Sequence, residues 1–257
     1  MSDTNIFNEV PELNYSEERE ITNGSEFEKV INARRSIRKY KEDKIPEHIV
    51  EKCLEIALKA PNSSNLQQWQ FYWIKTPQIK KQIAEACFSQ PAATTAAELI
   101  VCVARTDTWK KHAKQMLEVF KTQSIAVPDS AIKYYEKLCP VVYNQGPLGV
   151  YGLFKWITFN ITGLFRPMVR EPVSKADMRV WAHKSTALAC ENLMLAFSAY
   201  GYDTCPMEGY DSKRVKNILN LPSCAEICMI VSAGVRDPKG VYGPRIRFPK
   251  EQFIFKI

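Results

Sequence analysis

Apolar side chains recur along this chain at two different spacings, and the change of spacing marks the elements. Ile49, Cys53, Ile56 and Ala57 fall on one helical face; Pro46 suits the first turn of that helix and Pro61 stops it. Upstream, Ser25-Glu26-Phe27-Glu28 reads as a capping box opening a helix that runs to about Arg35. WQFYWIK, residues 69–75, reads as a strand, and Thr76-Pro77 caps the helix that follows. ELIVCVAR, residues 98–105, is a nearly unbroken apolar run and predicts a buried central strand. Residues 108–123 and 129–138 predict helices, and 141–173 an irregular segment. A long helix is expected from Ser174 to Tyr200, with Gly201 as its stop. Along it Ala182, Ser185, Ala189, Asn192 and Ala196 form a stripe of small residues, suited either to tight core packing or to a helix pair across a dimer. A short strand near 202–206, a helix at 211–219 and an apolar strand at 226–232 complete the pattern. Strands alternating with helices, and apolar on both faces, predict a helix-covered sheet of the α/β or α+β class.

Length and charge narrow this picture. The 257 residues, 46% hydrophobic, suit one large domain: a polar arm over 1–24, then a domain over 25–257 that includes an insertion at 126–173. The net charge of +7 is uneven, because residues 1–28 sum to −7 and the remainder to +14. A basic body favours phosphates or other acidic ligands. Zinc-finger spacing and a basic face interleaved with aromatics are both missing, so no nucleic-acid partner is expected. The eight cysteines, several in apolar runs and without a signal-peptide pattern, predict buried thiols in a cytoplasmic protein. Cys224 and Cys228 lack a second ligand pair and the three histidines are scattered, so no metal site is expected. Lys155 interrupts the longest apolar stretch, residues 148–165, which leaves no spanning segment.

Four short stretches carry candidate chemistry. In ARRSIRKY, residues 33–40, Arg34 and Arg38 can converge with Ser36 on one phosphate if the helix ends near Arg35; otherwise this is a solvated basic turn. In YGPRIRFP, residues 242–249, an extended chain would send Arg245 and Arg247 to the same side, either toward an anion or as a charged guard on a strand edge. In APNSSNLQQW, residues 60–69, Ser63, Asn65 and Gln67 offer groups for a polyol or a heterocycle edge, or simply form a helix-to-strand turn. In CPMEGYD, residues 205–211, Pro206, Met207, Glu208 and Gly209 combine an apolar surface, a carboxylate and a close-approach glycine, or lead into the next helix.

In this order, R-R-S-I-R, A-P-N-S-S-N-L-Q-Q-W, P-M-E-G-Y-D and R-I-R-F-P resemble the motifs of the flavin-dependent nitroreductase family, over about residues 26–125 and 174–250. The resemblance implies an α+β fold with a mostly antiparallel central sheet flanked by helices, and FMN as cofactor. Arg34, Arg38 and Arg247 would hold the FMN phosphate, with Arg245 close by. Arg35 and Ser36 would bond the ring edge or the ribityl chain, and Asn65 would sit near both. Pro61, Ser63 and Gln67 would complete that loop. Pro206, Met207, Glu208 and Gly209 would line the ring, with a backbone N–H near flavin N5. The family also implies a homodimer with two FMN sites at the interface, and a C-terminal tail, KEQFIFKI, exchanged with the partner's sheet.

The insertion is longer than in compact members of the family. As a lid it would offer Tyr151, Phe154, Trp156 and Phe159 for stacking over the ring, unless these pack on the protein itself or its partner. A membrane-surface partner is not part of the implied picture, although aromatics beside Lys155 and Arg166 also suit shallow insertion. No G-x-G-x-x-G follows a strand. NADH or NADPH would therefore stack on the flavin, give hydride to N5 and leave. A nitroaromatic, quinone or enone acceptor would follow in the same pocket, with no catalytic side chain assigned. The alternatives are a same-fold enzyme performing reductive dehalogenation or flavin breakdown, and a non-catalytic flavin-binding protein associated with a membrane surface.

Overall fold

A computed structural model describes residues 15–257. Residues 1–14 of the expected arm lie outside the described residues, and 15–23 contain no helix or strand. The described elements are α1 (Gly24–Ala33), α2 (Glu47–Ala57), β1 (Trp69–Trp73), α3 (Pro77–Ala86), α4 (Pro91–Thr94), β2 (Glu98–Arg105) and α5 (Trp109–Thr122). After them come α6 (Asp129–Lys133), α7 (Cys139–Tyr143), α8 (Val150–Thr162), α9 (Lys175–Ala199), β3 (Asp203–Met207), α10 (Ser212–Ile218) and β4 (Ala225–Gly234).

The four strands form one antiparallel sheet in the order β1-β2-β4-β3. β2 is its centre because all six of its inner residues are apolar or small and buried. Successive side chains alternate between two cores. Leu99, Val101 and Val103 meet Ile83 and Ala84 of α3, Val215 of α10 and Ile230 of β4. Ile100 and Cys102 meet Val50 and Cys53 of α2 and Cys190, Leu193 and Phe197 of α9. The fold is thus α+β, with helices on both faces of a small sheet.

α9 starts sharply because Ser174 accepts from the Asp177 N–H at 3.1 Å while the Asp177 carboxylate takes the Ser174 N–H at 2.9 Å. It ends at Gly201, whose φ of +80° suits a residue without a Cβ. The small-residue stripe resolves into core packing: Ala182, Ser185, Ala189 and Ala196 are buried within the chain.

Four expectations need correction. Asn23, not Ser25, caps α1: its Oδ1 accepts from the Ser25 N–H at 3.0 Å and the Ser25 hydroxyl at 2.9 Å. α1 then ends at Ala33, before the arginines. Residues 141–173 are not irregular, since α8 lies within them and α7 overlaps their start. The Lys155 that breaks the apolar run turns inward, donating to the carbonyls of Val142 at 2.7 Å and Pro172 at 3.2 Å. Residues 242–249 form no strand; side chains rather than a backbone ladder hold them. All eight cysteines are free thiols, and burial pushes Cys53 up to about 12 and Cys87 and Cys139 up to about 11.

Phe197 is fully buried between α9 and the sheet. Phe197→Ala is expected to remove about 3–5 kcal/mol of stability. A urea midpoint equal to the parent's would show that α9 is held elsewhere.

Candidate functional site

The arginine segment is fixed by its one apolar member. Ile37 is 0% exposed in the core beneath β3, and its N–H donates to the Thr204 carbonyl at 3.0 Å. Ser36 bridges Thr204 in parallel, so the segment runs along the outer edge of β3. The Arg38 N–H donates to the Gly240 carbonyl at 2.9 Å. Gly240 has to be glycine here, because a Cβ would collide with the Lys39 carbonyl and the Ile37 side chain. An inward Ile37 in extended chain leaves its neighbours facing outward.

The C-terminal segment closes over them. The Arg35 guanidinium donates to the Gly243 carbonyl at 2.6 Å. The Arg245 guanidinium donates to the carbonyls of Asn32 at 2.9 Å and of Arg34, at and just beyond the end of α1, where helical carbonyls lack partners. Arg38 also stacks over the Tyr242 ring, 5.3 Å from its centroid.

The result is a cavity of about 230 Å³ lined by Arg34, Arg35, Ser36, Arg38, Pro244, Arg245, Ile246 and Arg247. No carboxylate lines it, and among the described residues none of these five arginines forms an ion pair. Nearby Arg236 differs, being paired with Asp203 at 2.5 Å. Desolvation, then the charges of Arg247, Arg35 and Arg34, holds the Arg245 guanidinium below its ordinary value. Five guanidiniums gathered without a counter-charge among the described residues have the chemistry to suit a multiply charged, oxygen-rich anion.

The 206–209 segment joins the same edge, since Pro206 and Met207 continue β3 beyond Thr204. Met207 is buried in the core and offers only its backbone, whereas Glu208 and Gly209 are exposed. Gly209 is not demanded by the chain's own packing: an added Cβ would meet only Gln90, at 3.8 Å.

The 61–68 loop lies elsewhere. Pro61, Ser63, Asn65 and Gln67 are exposed, while Leu66 and Gln68 are fully buried and Asn62 and Ser64 half-buried. The exposed residues are the four singled out by sequence, and the inward ones anchor them. Ser64 Oγ lies 2.6 Å from the Tyr134 hydroxyl and 2.7 Å from that of Tyr143, and the Tyr135 hydroxyl donates to the Ser64 carbonyl at 2.9 Å. Asn62 Oδ1 accepts from the Gln67 N–H at 2.7 Å, and His112 Nδ1 lies 2.6 Å from the Leu66 carbonyl. These bonds hold Ser64, Asn65 and Gln67 at φ of 57°, 46° and 45°, a conformation costly for residues with a Cβ. Burial raises the Tyr134 hydroxyl and pushes Tyr135 up to about 12, so both stay protonated.

Within one chain the loop and the arginine cavity are at diagonal corners of the sheet. The loop enters β1 at Trp69, level with Ala104 and Glu226, while the arginines flank β3 at Thr204, level with Ala233. Three strand spacings separate them across the sheet, about 14 Å, and seven residues along β4, about 23 Å.

This geometry has relatives. The sequence profile of the Nitroreductase family matches residues 31–235, well over half of the chain. The chain is a nitroreductase-family oxidoreductase. A Thermus thermophilus protein named NADH dehydrogenase is 28% identical over 222 residues, covering 86% of this chain and 91% of that one. Among solved structures, the Bacillus subtilis protein ydfN superposes with a TM-score of 0.72 at 19% identity, over 91% of this chain and 99% of its own. An Exiguobacterium sibiricum protein solved in complex with FMN gives 0.63 at 23% identity, over 93% and 99%.

In this nitroreductase the four aromatics expected over a flavin do not share a face. Phe154 and Trp156 lie about 200° apart around α8 and both are exposed. Phe159 is half-buried, and Tyr151 lies against Gly146. Phe154 and Trp156 therefore lie on different faces of α8. The insertion reaches the loop through Tyr134, Tyr135 and Tyr143 instead. Sequence reading missed these anchors; the alternation of the loop, with Asn62, Ser64, Leu66 and Gln68 inward, was the available signal.

Ser64→Ala strands the Tyr134 hydroxyl, while that of Tyr143 keeps the Ser63 hydroxyl at 3.1 Å, and is expected to cost about 1–3 kcal/mol. Equal melting temperatures for variant and parent would mean that the loop does not depend on this anchor.

Proposed function

We propose that this chain is an FMN-dependent reductase that takes hydride from NADH or NADPH and passes it to a small acceptor such as a nitroaromatic, a quinone or an enone. Its class, an NAD(P)H-dependent oxidoreductase, follows from its family; the cofactor, the acceptor and the residues that serve them are the proposal. The observation that carries it is the cavity of five arginines beside β3, which form no ion pair among the described residues, with a glycine whose open side the fold does not use farther along the same edge. FMN fits that chemistry, having a dianionic phosphate at one end and a flat ring at the other. The Thermus relative's name and the FMN of the Exiguobacterium structure point the same way.

In this reading Arg34, Arg38 and Arg247 hold the phosphate. Arg245 is the clasp that ties the C-terminal segment to the end of α1, and Arg35 a second one through Gly243. Ser36 faces the ribityl chain. Pro206, Glu208 and the open side of Gly209 border the ring, close to the N–H groups that would face N5. When bound, FMN supplies reversible hydride transfer between the nicotinamide and the acceptor. The chain's part is to orient the ring, neutralise the phosphate and shape the acceptor's entry.

Pro61, Ser63, Asn65 and Gln67 take part through a second copy. Two half-sites at diagonal corners of one sheet cannot close on one ligand, but a two-fold axis sets the loop of one copy against the arginines of the other. The exposed Phe253, Ile254, Phe255 and Ile257 of the tail suit the same exchange. Residues 126–173 then belong to the acceptor's wall through the tyrosines that hold the loop.

The purified protein is expected to show oxidised-flavin absorption that bleaches when NADH or NADPH is added without oxygen. Flavin bands that persist would favour other flavin chemistry or a non-redox role; absence of flavin after incubation with FMN would overturn the reading. Arg34→Ala and Arg247→Ala are each expected to weaken FMN binding roughly tenfold to a hundredfold, the loss of a charge-assisted contact of about 1.5–3 kcal/mol. Unchanged FMN affinity in both variants would remove the phosphate assignment.

A further inference from the structure

Residues 242–257 are fastened to the body by cations. Val241, half-buried, is the last side chain of the chain that packs on the core cluster holding Ile37. Beyond it only Arg245 is half-buried; every other residue is exposed, Phe248 at 69% and Phe255 at 74%. The backbone bonds of the segment are its own: the Gln252 N–H donates to the Pro249 carbonyl at 3.1 Å and the Ile254 N–H to the Lys250 carbonyl at 2.9 Å. Among the described residues, each hydrogen bond that joins 242–257 to the rest of the chain has a guanidinium as donor. Arg35 donates to the Gly243 carbonyl, and Arg245 to the carbonyls of Asn32 and Arg34. Arg38 over the Tyr242 ring adds a cation–π contact.

These fastenings work against one another. The arginine cavity has two walls: Arg34, Arg35, Ser36 and Arg38 belong to the body, and Pro244, Arg245, Ile246 and Arg247 to the segment. Docking the segment brings like charges together, and their repulsion pushes the walls apart. No carboxylate of the chain relieves it among the described residues. Glu251, the only acidic side chain of the segment, is exposed and does not line the cavity. On the body, Asp203 and Asp237 are paired with Arg236 and Lys39. The body wall cannot give, because the Ile37 N–H is bonded to Thr204 and its side chain is buried. The segment has no such anchor, so its position depends on the charge between the walls.

We infer that a phosphate dianion in this cavity pins residues 242–257 to the body, so that occupancy of the site governs the order of the C-terminal segment. The inference rests on the reading of the cavity as a phosphate site and extends it to the regulation of that site. Arg34 and Arg38 take the anion from the body side and Arg247 from the segment side, while Arg245 and Arg35 keep their carbonyls. One dianion then attracts both walls at once, where before they repelled. By linkage, a segment that the anion orders also strengthens the hold on the anion. The exposed Phe253, Ile254, Phe255 and Ile257 ride on this segment, so filling the site fixes where that apolar surface is presented.

The test is limited chymotrypsin digestion of the full chain, dialysed free of flavin, with FMN, riboflavin or inorganic phosphate added at constant ionic strength. Mass spectrometry follows the cuts after Phe253 and Phe255, which lie outside the cavity lining and so report order rather than shielding by the bound group. Equilibrium dialysis measures binding separately, and a melting curve verifies the fold. FMN at about ten times its Kd is expected to slow both cuts roughly tenfold, because a ligand of the docked form alone lowers the released fraction by about that ratio. Inorganic phosphate acts the same way at its own saturating concentration, whereas riboflavin, which lacks the phosphate, leaves the cuts unchanged. Arg245→Gln removes the clasp without touching the three phosphate contacts and is expected to speed the cuts roughly tenfold in the absence of anion, the loss of a charge-assisted bond. FMN that binds without slowing the cuts would overturn the inference and leave the phosphate reading standing. Slowing by inorganic phosphate in a protein that does not bind FMN would uphold the pin and end the FMN reading. Cuts slowed by neither anion, cuts slowed equally by riboflavin, or an Arg245→Gln variant digested at the parent's rate would each overturn the inference.

Discussion

Five guanidiniums in one small cavity repel one another, and the structure can hold them there only because something uncharged fixes the backbone beneath. That something is Ile37. Its side chain is sealed into the core and its N–H is spent on Thr204, so the segment that bears Arg34, Arg35, Ser36 and Arg38 cannot swing away to relieve the repulsion. The C-terminal segment is held by the same logic in reverse. Arg245 and Arg35 use their charge on backbone carbonyls, which are indifferent to the missing counter-ion. Burial elsewhere thus maintains a high positive potential at an open surface on an ordered backbone.

Much of this was legible in the sequence where one residue type had one use. The run ELIVCVAR had no amphipathic alternative and is β2 over the same residues. Gly201 after a long helical pattern could only be a stop. Legibility failed where a residue had two roles. Ser25 and Asn23 both cap helices well, and the chain uses the asparagine. Lys155 looked like a break in an apolar run because charge normally goes to water; here two carbonyls take it inward and α8 continues through it. Residues 242–249 alternate like a strand, yet Pro244 removes a ladder donor and the arginine side chains supply the fastening instead.

The candidate site was legible in halves. Sequence order brought out four motifs, and the fold unites the first, third and fourth along the β3 edge while leaving the second at the far corner of the sheet. Spacing along a chain carries no information about which edge of a sheet a loop will occupy; that is decided by strand order. The anchoring tyrosines were hidden for a related reason. Tyr134 and Tyr143 sit in an insertion whose helices show no clean period, one turn of it being π-helical over Tyr134–Leu138.

The eight thiols have a consequence for the kind of molecule this protein can handle. Six are buried, and burial raises the thiols of Cys53, Cys87, Cys139 and Cys205, which keeps those four protonated at neutral pH. A thiolate is the form that adds to an electron-poor double bond. Electrophiles of the quinone or enone type, which alkylate exposed cysteines, therefore find almost nothing to attack on this chain. The interior that packs the sheet also serves as armour against such reagents.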